Sequence, residues 1–203
     1  LRSLIDHLDA ELDKAKGFSE PFPVHFLKPF PADLYPAAIE NLPDDELYED
    51  LVHKDAMRAD GTSTRKMFSI DEYAPVFWRD LSFVLCGSEV EEVFRDHLGF
   101  EGPVRAFCRL FRDFAGYRIS PHPDSSKKAM TAQFYLPADE TQAHLGTSFF
   151  SRLPSGDFQE NCRLSFLPNT GYCFKVTDNS FHGTKFSEIR RPRDSLILTY
   201  YKG

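Results

Sequence analysis

The chain has 203 residues, 41% of them apolar and 27% charged, with a net charge of -7. That mix suits one globular domain able to bury roughly 70% of its unfolded surface, and it excludes a disordered tail. No apolar run reaches the ~18 residues a membrane span needs, and Leu1 to Ala10 already carries three charges, so a soluble chain without a secretory segment is expected.

Charge is divided unevenly. Residues 1 to 103 hold 10 Lys or Arg against 22 Asp or Glu, whereas residues 104 to 203 hold 14 against 9. The acidic total argues against a nucleic-acid partner, and the positive C-terminal half suits a small anion, although a solvated acidic face would give the same totals. Cys86, Cys108, Cys162 and Cys173 lack metal-like C-x-x-C spacing and read as free thiols in a reducing, cytoplasmic setting. Twenty of the 29 aromatic residues are phenylalanine, which points to a thick apolar interior.

In chain order, Leu4, Ile5, Leu8 and Leu12 predict an amphipathic helix within Leu1 to Lys16. Phe18, Phe22, Phe26 and Phe30 recur every four residues, but Pro21, Pro23, Pro29 and Pro31 exclude a helix, and Val24 to Leu27 reads as a strand. A helix is expected within Ala32 to Asn41 and a strand at Thr64 to Ile70. Val76 to Leu85 and Ser88 to Leu98 read as a helix pair, the second opened by a Ser88–Glu91 capping box and closed by Gly99. From Val104 on, short alternating segments predict eight strands: 104–111, 117–121, 129–136, 147–152, 163–167, 172–176, 180–186 and 195–202. The expected architecture is a single α+β domain over residues 1–203, with a mostly helical support region at 1–103 packed outside a jelly-roll core at 104–203.

Three H-x-D pairs occur, where composition gives about 0.6 by chance. His7 and Asp9 lie on the predicted first helix, where residues i and i+2 diverge, and His53 and Asp55 sit in a charged loop. His122-Pro123-Asp124 alone is in strand context. His182 follows 58 residues after Asp124, and Arg193-Asp194-Ser195 begins eleven residues later. Two histidines and one carboxylate fill one face of an iron and leave the opposite positions open, while a guanidinium fork plus a hydroxyl suits the far carboxylate of a dicarboxylic acid.

These elements resemble the Fe(II)- and 2-oxoglutarate-dependent dioxygenases, and the prolyl-4-hydroxylase-like branch in particular. Thr131 to Pro137 is similar to the strand ending in Y-L after the branch's H-x-D, and His144 to Phe150 to its glycine-bearing strand. The chain departs from collagen-type relatives in having Arg193 where lysine is common and Leu145-Gly146-Thr147 where two glycines stand. The resemblance covers about residues 104–203. It implies a double-stranded β-helix in which His122, Asp124 and His182 bind Fe(II), Arg193, Ser195 and Tyr135 anchor 2-oxoglutarate, and Gln133 and Thr131 line the pocket. It also implies oxygen-dependent hydroxylation of an unactivated carbon, with release of succinate and CO2. The expected substrate is a small molecule, an amino acid or biosynthetic intermediate. Hydroxylation of a prolyl or other protein residue stays open, as do desaturation or ring closure by the same oxidant and a non-catalytic ligand-binding jelly-roll.

Overall fold

The computed structural model describes residues 2–19, 22–53, 56–185 and 189–203. Leu1, Pro21, Asp55, Phe186 and Glu188 lie outside these residues, and with them one end of the predicted first helix, the end of the predicted strand 180–186 and one member of the His53–Asp55 pair. The elements in order are α1 (Arg2–Asp13), β1 (Lys16–Phe18), β2 (Val24–Leu27), α2 (Leu34–Glu40), a 3₁₀ turn (Asp45–Leu47), β3 (Glu49–Asp50), β4 (Arg65–Ser69), α3 (Val76–Leu85) and α4 (Ser88–Leu98). Then come β5 (Val104–Asp113), β6 (Arg118–His122), β7 (Lys128–Tyr135), β8 (Thr147–Arg152), β9 (Phe158–Leu164), β10 (Gly171–Lys175), β11 (His182–Lys185) and β12 (Arg193–Lys202).

The strands form an eight-stranded sheet in the order β1-β2-β10-β7-β12-β5-β4-β3 and a four-stranded sheet in the order β6-β11-β8-β9. Every pairing is antiparallel. The first half of the chain is therefore more than a helical support, since β1 to β4 extend both ends of the larger sheet.

Period-two alternation assigns the two faces of that sheet. Ala132, Phe134, Leu196 and Leu198 point to one side, into a core with Leu4, Leu8 and Leu12 of α1 and Trp78, Leu81 and Leu85 of α3. Trp78 satisfies its buried indole by donating to the Asn41 carbonyl at 2.6 Å. On the other side Tyr135, Tyr172 and Phe174 meet Phe149 of the smaller sheet, with Tyr172 and Phe149 edge to face at 5.0 Å. Phe18, Phe22 and Phe26 join this second core through the Phe149 ring, so their four-residue spacing is that of a hairpin face rather than a helix.

Local chemistry explains the boundary differences. Helix α4 begins after Gly87 with no side-chain cap, because Ser88 is already helical and the Glu91 carboxylate turns to Arg95. It ends as expected on Gly99, which at φ +64 takes the left-handed conformation that favours glycine. Strand β9 starts five residues before the predicted 163–167, because its largely exposed residues show no alternation to read. Among the described residues no helix is long and apolar enough to cross a membrane.

Candidate metal centre and anion pocket

His122 ends β6 and His182 opens β11, and the two face each other directly across the ladder, their rings 4.7 Å apart. The register slips by one between His182 and Thr184, and Gly183 lets the strands close there: a Cβ at Gly183 would stand 2.6 Å from the Ile119 carbonyl oxygen. Asp124 lies just past the end of β6. One ligand atom from each of His122, Asp124 and His182 falls within 4.8 Å of the others.

The orientation of each group fits a metal. A backbone carbonyl can only accept, so the His122 Nδ1–H donates to the Ser120 carbonyl at 2.9 Å and the His182 Nδ1–H to the Ser180 carbonyl at 3.0 Å. That fixes both tautomers and leaves each Nε2 lone pair for a cation. Burial of His182 pushes its pKa down to about 4, against the pull of Asp124, so the ring is neutral and able to ligate near pH 7. Burial would raise the Asp124 pKa, but attraction to His182 and Lys128, with hydrogen bonds from Lys128 and Thr131 at 2.7 Å each, holds it down to about 2.

The triad opens on a cavity of about 240 Å³ between the sheets. Its wall also carries Arg193, Arg65, Gln133 and Thr131. Arg193 is 1% exposed, donates to the Leu145 carbonyl at 2.8 Å and pairs with Asp113 at 2.8 Å. Arg65 of β4 pairs with the other Asp113 oxygen at 3.1 Å. Two guanidiniums thus share one carboxylate and leave a net charge of +1 at this end of the cavity. Stacked rings fix both planes, with Phe111 4.2 Å from Arg65 and Phe166 4.9 Å from Arg193. Gly146 keeps the Leu145 carbonyl in place, since a Cβ there would fall 1.7 Å from the Leu164 oxygen.

Two residues expected at the anion differ in setting. Tyr135 is fully buried and its hydroxyl is engaged with Thr147, donating to Oγ1 at 2.8 Å and accepting from the backbone N–H at 3.0 Å. It lies behind the wall, with its ring beneath the Arg193 guanidinium at 5.0 Å. Ser195 accepts from Gln133 Nε2 at 2.9 Å, and Gln133 accepts from the Tyr172 hydroxyl at 2.6 Å. Tyr172, rather than Tyr135, lines the cavity. Asp194, next in sequence to Arg193, points to the opposite face and bonds Arg112 at 2.7 Å.

Of the other H-x-D pairs, His53–Asp55 is not wholly within the described residues, and His7–Asp9 is dispersed. His7 bonds the Lys28 carbonyl and Asp9 bonds His97. Arg65, Asp113 and Tyr172 escape sequence reading because no motif marks them, although Asp113 shares the inward parity of Arg109 and Phe111 on β5.

No protein-family model matches the chain and no curated protein matches it. Solved structures do. A prolyl-4-hydroxylase from Pseudomonas putida aligns over 97% of this chain and 99% of its own, with TM-score 0.64 and 16% identity. A prolyl hydroxylase from Trichoplax adhaerens, in complex with a hypoxia inducible factor peptide fragment, aligns over 98% and 90%, with TM-score 0.63 and 12% identity. HygX from Streptomyces hygroscopicus, with nickel, 2-oxoglutarate and hygromycin B bound, aligns over 88% and 82%, with TM-score 0.58 and 10% identity. The chain has the fold these oxygenases share.

Proposed function

We propose that this chain is an Fe(II)- and 2-oxoglutarate-dependent oxygenase that hydroxylates an unactivated carbon of a small molecule, releasing succinate and CO2. The observation that carries this reading is one cavity with a two-His, one-carboxylate cluster and, on the same wall, a doubly arginine-lined anion end. The paired sheets are read as a double-stranded β-helix, and residues 1–203 as one catalytic domain whose N-terminal half supplies Arg65. The four free thiols fit a reducing cytoplasm.

Iron bound by His122, Asp124 and His182 supplies the oxidising chemistry. The chain's own residues do the rest. Ser120 and Ser180 carbonyls hold the two imidazoles as Nε2 ligands, and Thr131 and Lys128 keep the Asp124 carboxylate ionised and oriented. Arg193, with Arg65 beside it, receives the far carboxylate of 2-oxoglutarate. Ser195 and Tyr135 act one step back: Ser195 orients Gln133, and Tyr135 supports the Arg193 plane and holds Thr147. Phe149, Phe174 and Tyr172 wall the site from bulk water.

The test is oxygen-dependent succinate release from 2-oxoglutarate in the presence of Fe(II). The wild-type chain releases succinate and His182→Ala does not. Equal release by the variant would show that the metal lies elsewhere.

A further inference from the structure

We infer that Arg109 is the residue that selects the substrate, and that the substrate is a small carboxylic acid with an apolar body. This rests on the oxygenase reading above and adds a substrate class to it.

The first observation is the charge inventory of the cavity. Four cationic side chains line it: Arg65, Arg109, Lys128 and Arg193. Asp113 neutralises one charge of the Arg65 and Arg193 pair, and Asp124 is matched to Lys128. The Arg109 side chain has no ion pair or hydrogen bond among the described residues, only the Phe107 ring 5.5 Å from its guanidinium. It is half-buried. A guanidinium drawn into a cavity without a counter-ion is costly, and an anion arriving there is correspondingly favoured. Bound iron adds two positive charges and 2-oxoglutarate removes two, so a positive excess remains for the substrate.

The second observation is position. Arg109 of β5 pairs in register with Ile197 of β12, which pairs with Gln133 of β7. Arg109 is therefore two strand spacings, about 10 Å, across the sheet from Gln133. The next inward rung holds Phe107, Thr199 and Thr131, and Thr131 bonds the metal-site Asp124. A molecule whose carboxylate sits on Arg109 can lay its body along Phe107, Ile197 and Tyr201, all on the cavity wall, toward the metal. Phe107 and Tyr201 meet edge to face at 5.6 Å and form an aromatic side to that path. Both carboxylates near the cavity are already engaged, so no acceptor stands ready for an ammonium. That favours acids without a free amino group, such as N-acyl amino acids or arylalkanoic acids, over free amino acids.

The experiment measures succinate release with 3-phenylpropanoate, 4-phenylbutanoate, N-acetylleucine and N-acetylphenylalanine, each beside its primary amide and, for the last two, the free amino acid. At least one acid is expected to accelerate release over the acceptor-free rate, with an apparent KM at least tenfold below that of its amide. Arg109→Ala should raise the KM of that acid at least tenfold and erase the preference over the amide, and Arg109→Lys should restore part of it. Both variants should keep the visible band that Fe(II) and 2-oxoglutarate give without oxygen. Amides equal to acids, no acceleration by any acid, or an unchanged acid KM in Arg109→Ala would overturn the inference. Loss of the band in Arg109→Ala alone would overturn it differently, by assigning the arginine to 2-oxoglutarate. Lack of the band in the wild-type chain would remove the oxygenase reading and this inference with it.

Discussion

The two faces of β7 and β12 carry opposite kinds of residue although they belong to the same strands. Toward the helices stand Ala132, Phe134, Leu196 and Leu198, apolar and completely buried. Toward the smaller sheet stand Thr131, Gln133, Tyr135, Arg193 and Ser195, which are also buried but polar, and each is tied into a hydrogen bond or ion pair. The first face contributes cohesion through burial of apolar surface, and the second holds costly polar groups in fixed orientations. Stability and chemistry are thus separated by one residue of register, and substitutions on the two faces should fail in different ways.

The largest expected effect lies on the polar side, at His182. Replacing it with Ala removes a ligand outright and should lower iron affinity by more than the 10–100-fold typical of losing a ligand's supporting partner. Turnover should disappear with it, while the thermal midpoint of the metal-free protein changes little. Equilibrium dialysis with Fe(II) and a melting curve together check this. A collapse of the fold would break the division between the faces.

Arg193→Ala should damage both properties. It leaves Asp113 paired with Arg65, so the carboxylate is not orphaned and the loss should fall below the ~3–5 kcal/mol of a fully broken buried pair. It should also weaken 2-oxoglutarate binding by about thirtyfold or more. Denaturant unfolding and the KM for 2-oxoglutarate measure the two losses separately. Phe134→Ala, on the apolar side, should cost about 3–5 kcal/mol of unfolding free energy and leave the KM for 2-oxoglutarate within twofold in the folded fraction. A shift in KM comparable to that of Arg193→Ala would show that the faces are coupled.

The smallest effect is expected at Tyr135. Tyr135→Phe removes the hydroxyl that satisfies Thr147 and should cost about 1 kcal/mol with the 2-oxoglutarate KM unchanged. A tenfold rise in KM would return the hydroxyl to the direct role that the family resemblance implies for it.

These contrasts also mark what can be read from the chain alone. Val24–Leu27, Val76–Leu85, Ser88–Leu98 and Thr147–Arg152 fall on the predicted boundaries, because apolar periodicity and the turn residues agree there. The clustering of His122, Asp124 and His182 is legible because an H-x-D at one strand end and a histidine on the return strand opposite bring three ligand-type side chains together. Arg65 is not, since it reaches Asp113 from a strand 48 residues away and nothing local records that pairing. Tyr135 and Tyr172 both lie between the two sheets with their hydroxyls toward Thr147, so parity alone could not say which one lines the cavity. The start of strand β9 is not legible, because an exposed edge strand has no buried face to alternate.

The central claim is that His122, Asp124 and His182 hold an iron to which 2-oxoglutarate, anchored by Arg193, is bound. The direct test is anaerobic addition of Fe(II) and then 2-oxoglutarate to the purified chain, followed by visible absorption. The account predicts a metal-to-ligand charge-transfer band that saturates with 2-oxoglutarate, needs more of it in Arg193→Ala and is missing in His182→Ala. A wild-type chain that gives no band, or a His182→Ala variant that gives the same one, would contradict it.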